Sequence, residues 1–181
     1  MLVERFLRAL SGALARVERA ALVALIAAVA GLVLANAGFR AAGRTLAWAD
    51  ELAVLCMTLA AFVGTALLVR ARTAPAVEVV HRIVGPGTLR GLRAAVSALV
   101  AGFGAVLAWL CWRWLDPPGL VAAGFDVAAF EAATFNFVHT ETTPVLRWRR
   151  LWFFLVVPWF AVSLTVHGLA NLAEDLRGVG R

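Results

Sequence analysis

At 181 residues, with 62% hydrophobic and only 15% charged side chains, the chain departs far from a water-soluble domain, which carries about 25% charged and about 45 to 50% apolar residues. Two cysteines and long apolar runs exclude disorder, a collagen-like repeat and a disulfide scaffold. All 17 basic residues are Arg and the formal net charge is +6, but these Arg residues punctuate the ends of apolar runs instead of gathering on one face as a nucleic-acid binder requires. The charge reads as membrane anchoring.

In chain order, the first element covers 2–18, where Val3, Phe6, Leu7, Leu10, Leu14 and Val17 recur at helical spacing and Glu4, Arg5, Arg8 and Arg19 fill other faces. That pattern predicts an amphipathic helix in the membrane interface. An uncharged run of 20 residues follows over 20–39, and at about 1.5 Å per residue it crosses a hydrocarbon core of roughly 30 Å. The basic leader and Ala35-Asn36-Ala37 are similar to a secretory signal with its cleavage site, yet the run exceeds the roughly 7 to 15 residues of a signal core. A retained span is predicted. Further uncharged runs over 52–69, 94–112 and 151–173 predict three more spanning helices. Strands are a poor alternative, because a spanning strand needs only about 10 residues of alternating character.

Two connecting segments complete the chain. After Pro75, residues Glu78, His81 and Arg82 share one face against Val77, Val79, Val80, Ile83 and Val84, until Gly85-Pro86-Gly87 ends the pattern; a second interfacial helix is predicted over 75–84. The turn signal Asp116-Pro117-Pro118-Gly119 precedes an apolar stretch over 120–137 with Asp126 and Glu131 interspersed, which predicts a third, shallow helix on the outer surface. The fold class is therefore an all-α membrane protein, one integral domain over 1–181 with four transmembrane helices.

Eleven Arg residues fall on the side of the two termini and the 70–93 loop, and six on the other. Cytoplasmic loops retain positive charge, so both termini are predicted to be cytoplasmic. Trp48, Trp109, Trp112, Trp114, Trp148 and Trp152 then all lie near the outer boundary, where the amphipathic indole prefers to sit.

An ionisable group inside a span is a functional signal by default. All eleven carboxylates and all 17 Arg lie outside the four runs, and besides two thiols only His167 falls within one. This predicts no proton relay, ion site or cofactor in the chain. His167 and Asn171 are one helical turn apart and read as a polar pair bonding to a neighbour. A haem needs facing histidines at membrane depth, whereas His81 and His139 lie outside the spans; no zinc-ligand spacing occurs, and no enzyme constellation. Cys56 and Cys111 read as small buried hydrophobes. Ala27, Gly31 and Ala35 on the first span, with Ala60 and Gly64 on the second, form small-residue stripes suited to close helix packing.

The stretch Arg44-Thr45-Leu46-Ala47-Trp48-Ala49-Asp50-Glu51-Leu52-Ala53 resembles the Trp-x-acid-acid-Leu-Ala signature of the small membrane subunit (DctQ-like) of tripartite ATP-independent periplasmic, or TRAP, transporters. Phe62-Val63-Gly64-Thr65-Ala66 followed by Arg70, and Thr142-Thr143-Pro144 followed by Trp152 and Val157-Pro158, are similar to later parts of that family. One departure is clear: the family's His-Ile-x-Val-acid pattern after the second span is replaced by Ala74-Pro75-Ala76-Val77-Glu78, of which only Val77 and Glu78 fit. The resemblance implies a scaffold in the bacterial inner membrane that supports a large multispan subunit. Together with a periplasmic binding protein, that assembly takes up an organic acid with sodium. It also marks Trp48, Asp50, Glu51, Gly64, Arg70, Glu78 and Pro158 as family-motif or partner-interface candidates. The other reading is an autonomous four-helix exporter or channel, for which a homo-oligomer could build a polar path from Thr58, Thr65, Ser97, Ser163 and Thr165.

Overall fold

The computed structural model describes residues 2–72 and 86–177. Regular structure among them is helical, apart from one isolated bridge between Thr142 and Arg149. In chain order the helices are α1 (Leu2–Ala41), α2 (Ala47–Ala71), α3 (Pro86–Leu115), α4 (Pro117–Ala122), α5 (Val127–Thr134), α6 (Leu151–Phe154) and α7 (Val156–Leu176). Four stretches are long and apolar enough to cross a membrane, Glu4–Ala41, Ala47–Ala71, Thr88–Ala122 and Leu151–Leu176.

The boundary expected between an interfacial helix over 2–18 and a span over 20–39 does not occur. Without proline to interrupt it, one helix of 40 residues runs through both, about 60 Å at the α-helical rise. It stops where Gly43 takes φ +74°: the amide of Gly43 donates to the Arg40 carbonyl at 3.0 Å and that of Arg44 to the Phe39 carbonyl at 2.9 Å. This is the paired closure that a left-handed glycine permits at a helix end.

The single helix expected over 120–137 is also corrected, to two short ones. Asp116 caps α4 by accepting from the Gly119 amide at 3.1 Å, and Asp126 caps α5 by accepting from the amides of Ala128 and Ala129. Asp and Asn caps satisfy amides that a helix start leaves free, and here they restart the chain after the turn at Gly124, φ +63°. The fourth span is interrupted at Leu155, between α6 and α7. Pro158 lacks the N–H that would bond back to Phe154. The segment expected as a helix over 75–84 lies outside the described residues.

Packing centres on α7, which touches α1, α2 and α3; its most extensive contact is with α3, while α1 packs chiefly on α2. The core joins Ala66 of α2 to Phe160 and Leu164 of α7, with Phe62, Val69, Val100 and Leu107 around them. The rings of Phe62 and Phe160 meet edge to face, centroids 5.3 Å apart, an arrangement that adds to simple area burial. Small residues set the α3/α7 spacing: a Cβ on Gly168 would lie 2.7 Å from the Ala101 nitrogen, and one on Gly104 would lie 2.7 Å from the Thr165 nitrogen. α1 is the least enclosed, with 6% of its most apolar window buried.

Candidate functional site

On α1, Ser11 and Glu18 are seven residues apart, two turns of helix, and so share one face. That face points into the bundle: Ser11, Ala15 and Glu18 are buried, while Phe6, Leu10 and Val17 of the expected apolar stripe are 64%, 40% and 56% exposed. The N-terminal half of α1 therefore packs by its polar side and leaves its apolar side outward, the reverse of a helix in a soluble core.

Opposite it stands His167 of α7, with no exposure. Its Nδ1 is 2.8 Å from Ser11 Oγ and its Nε2 is 3.0 Å from Glu18 Oε2, while Arg70 of α2 donates from Nη1 to Ser11 Oγ at 2.7 Å. Donor chemistry gives this chain a direction. Arg only donates, so the Ser11 oxygen accepts and its hydroxyl proton is free to reach Nδ1; the neutral imidazole then carries its proton on Nε2 and donates to Glu18. The tautomer is assigned from this network. Ser, His and carboxylate are also the parts of an activated nucleophile, but Ser11 and His167 are both sealed from solvent. With no access for a substrate, the arrangement holds α1, α2 and α7 together.

A second cluster lies closer to the chain ends. Arg72, left-handed at φ 55°, donates to Asp175 Oδ1 at 2.6 Å and to the Asn171 carbonyl at 2.7 Å. Ser97 of α3 donates to the other Asp175 oxygen at 2.7 Å, and Asn171 Nδ2 donates to the Val69 carbonyl at 2.9 Å. Around these, Glu4 pairs with Arg8 and Arg177, and Glu174 with Arg8 and Arg72. All of these charged groups lie outside the uncharged runs, as the sequence requires, but Glu18, Arg70, Arg72 and Asp175 stand just beyond them and turn inward, closing one end of the bundle with buried ion pairs and hydrogen bonds that local sequence does not reveal.

At the opposite end, Asp50 accepts from Asn36 and, at 2.9 Å, from Arg40, while Asn36 Oδ1 accepts from the Leu46 amide. This ties the start of α2 to the end of α1. Glu51 reaches elsewhere, its two oxygens accepting from the amides of Val145 at 3.1 Å and Leu146 at 2.6 Å. Two adjacent acids thus fasten two different segments to α2. Trp48 is 45% exposed and faces outward. Replacing Glu51 by Ala is expected to free the 141–150 loop at a cost of roughly 1 kcal/mol, the scale of a net hydrogen bond. Faster amide exchange at Val145 and Leu146, with exchange at Asn36 and Leu46 unchanged, is the measurement that checks it.

Gly64 faces α1, where an added Cβ would meet Leu22 at 3.8 Å. Ala60 lines an apolar groove of about 500 Å³ between α1 and α2 with Ile26, Ala30, Val33 and Met57. Ala27, Gly31 and Ala35 are exposed, and beyond its own helix backbone no described residue lies within 4 Å of a Cβ on Gly31. Pro158 lies in the first turn of α7, just after the break at Leu155, and Glu78 lies outside the described residues. Cys56 and Cys111 are both free thiols. His139 is held by the Leu115 carbonyl at 3.0 Å and by the edge of Phe130. Among the described residues no three His, Cys, Asp or Glu side chains converge to hold a metal. Sequence reasoning missed Ser11, Glu18, Arg72, Asp175, Asn36, Gly104 and Gly168. The seven-residue interval from Ser11 to Glu18 was a usable signal, whereas the α3/α7 glycines are separated by 64 residues and carry none.

The family model described as "Tripartite ATP-independent periplasmic transporters, DctQ component" matches residues 29–178. No curated protein and no solved structure matches the chain.

Proposed function

Since the chain belongs to the DctQ-component family of TRAP transporters and is a small permease subunit of that type, we propose that it is the scaffold on which a large multispan subunit is held. That subunit would carry an organic acid inward with sodium after delivery by a periplasmic binding protein. The protein sits in the bacterial inner membrane with both termini cytoplasmic, so the buried Arg and carboxylate clusters lie at the cytoplasmic end and the Asn36–Asp50 tie at the periplasmic end.

The observation that carries this reading is the distribution of polar groups. They are engaged at the two ends, and between them Ala66, Phe160, Leu164 and their neighbours fill the interior with hydrocarbon. A path through this chain would have to use its mid-span hydroxyls. Thr58, Thr65 and Thr165 instead donate to the carbonyls of Val54, Ala61 and Ala161 on their own helices, Ser97 donates to Asp175, and Ser163, without a protein partner among the described residues, is sealed at 0% exposure. Hydroxyls turned back onto the preceding turn do not line an ion path, which weighs against an autonomous exporter or channel. The apolar outer face of α1, little enclosed by the chain itself, suits contact with lipid or a partner helix.

Affinity purification of the tagged protein after co-expression with its large subunit tests the reading. The large subunit should co-purify in stoichiometric amount. Gly31→Leu should reduce that recovery without changing the melting temperature of the small subunit alone, because Gly31 is exposed and a Cβ there meets no other helix among the described residues. Recovery of the small subunit by itself under mild detergent contradicts the scaffold role.

A further inference from the structure

Two buried polar atoms have no hydrogen-bond partner among the described residues, Glu18 Oε1 and Ser163 Oγ. Both side chains are sealed, Ser163 at 0% and Glu18 at 1% exposure. The helical rise places them at one level. His167 bonds to both Ser11 and Glu18, so it lies between them along α1, which separates them by about 10.5 Å. Ser163 precedes His167 by one turn, about 6 Å along α7, on the same buried face. α1 begins at the bundle end where α7 finishes, so the two helices run antiparallel and one turn back along α7 arrives at the level of Glu18.

An unpartnered carboxylate oxygen and an unpartnered hydroxyl sealed in a low-dielectric interior are each costly, and two at one level of packed helices can share a remedy. We propose that Glu18 Oε1 and Ser163 Oγ form a binding site for one internal water molecule. A water donates one proton to the carboxylate oxygen, which only accepts, and exchanges a second hydrogen bond with the serine hydroxyl, which does either. It meets the minimum of two polar partners for a buried water. A monovalent or divalent metal ion fits less well, because it requires several oxygen ligands and the remaining polar atoms are committed: Glu18 Oε2 to His167, Ser11 to Arg70 and His167. The hydrogen-bonded series Arg70–Ser11–His167–Glu18 thereby extends through the water to Ser163 and stops there, against the apolar core residues Phe160 and Leu164. The site is a seam that closes the α1/α7 contact and is independent of the transport reading.

The test uses the full chain in lipid nanodiscs. A map resolving ordered water should show one peak within about 3.2 Å of both oxygens; continuous side-chain contact with no peak overturns the proposal. Ser163→Ala should lower the folded-to-unfolded ratio by roughly five- to tenfold, the scale of one net hydrogen bond, because the water loses a partner. A rise in stability on Ser163→Ala overturns it, since a simple orphan hydroxyl would be relieved by the change. The loss in Ser163→Ala combined with Glu18→Gln should be smaller than the product of the single losses, as expected for groups sharing one partner; independent effects contradict a shared site. Should Glu18→Gln fail to fold, the map and Ser163→Ala alone decide. Stability should be equal in sodium chloride and choline chloride of the same ionic strength, and a sodium-specific rise overturns the assignment in favour of a cation.

Discussion

Gly168→Leu is expected to abolish recovery of folded protein, the largest effect expected at the glycines that pack between described helices. The reason is the tightness of the α3/α7 crossing, where even a methyl group on Gly168 would sit 2.7 Å from the Ala101 nitrogen and 2.9 Å from its Cα. Those are backbone atoms, so the neighbour cannot yield by changing rotamer and the helices must separate. Overpacking a well-filled interior typically costs about 1 to 3 kcal/mol, and Gly168→Ala should fall in that range; leucine adds three more carbons in the same place. Because α3 packs on α7 more extensively than any other pair of helices meets, separation there removes much of what defines the bundle. Gly104→Ala, pressed against Thr165 and the Ala161 carbonyl, should behave alike. Thermal unfolding in mild detergent, followed by tryptophan fluorescence, checks the series, with Gly31→Leu unchanged as the control.

His167→Ala is the second substitution with a large expected cost. It removes the one partner of Glu18 Oε2 and leaves a carboxylate enclosed between α1 and α7. Deleting the donor of a hydrogen bond to a buried charged group costs about 1.5 to 3 kcal/mol, most of it the penalty of the acceptor left behind, and the cavity left by the imidazole adds to it. The double replacement of Glu18 and His167 by Leu should therefore be less damaging than His167→Ala alone, even though it changes more atoms. If the single and double variants lose stability additively, the pair is two independent packing residues. Denaturant unfolding of the four proteins in the cycle gives the answer.

The spans were legible because their physics is one-dimensional: a run of about 20 uncharged residues needs nothing from the rest of the chain to prefer hydrocarbon. The acids at Asp50 and Glu51 were legible as a motif, but not in what they do. Nothing local says that adjacent carboxylates fasten α2 to Arg40 on one side and to the Val145 and Leu146 amides on the other. Glu18 illustrates the harder case. Read by its neighbours Arg16 and Arg19 it belongs to a solvated face, and only the arrival of His167, 149 residues later, makes it an interior group. On α1 the apolar stripe of Phe6, Leu10 and Val17, read from the sequence as a lipid-facing side, does face outward, whereas the inward polar face of Ser11 and Glu18 was not legible. In lipid, exposure of apolar side chains has no cost, so inward and outward faces are decided by polar pairing and close fit rather than by hydrophobicity. Small-residue spacing alone does not say which helix is approached: Ala27, Gly31 and Ala35 are exposed among the described residues, while Gly104 and Gly168, which form no such stripe, set the close α3/α7 crossing.

The central claim is that transport belongs to an assembly and that this chain holds it together. Sodium-driven uptake of a labelled organic acid into liposomes, with the small subunit alone and then with the large subunit and binding protein added, tests it most directly. The small subunit alone should match protein-free liposomes, because its interior is filled by apolar side chains between two closed polar ends, and uptake should appear only when all three proteins are present. Uptake by the small subunit alone, above the protein-free control, would contradict the account.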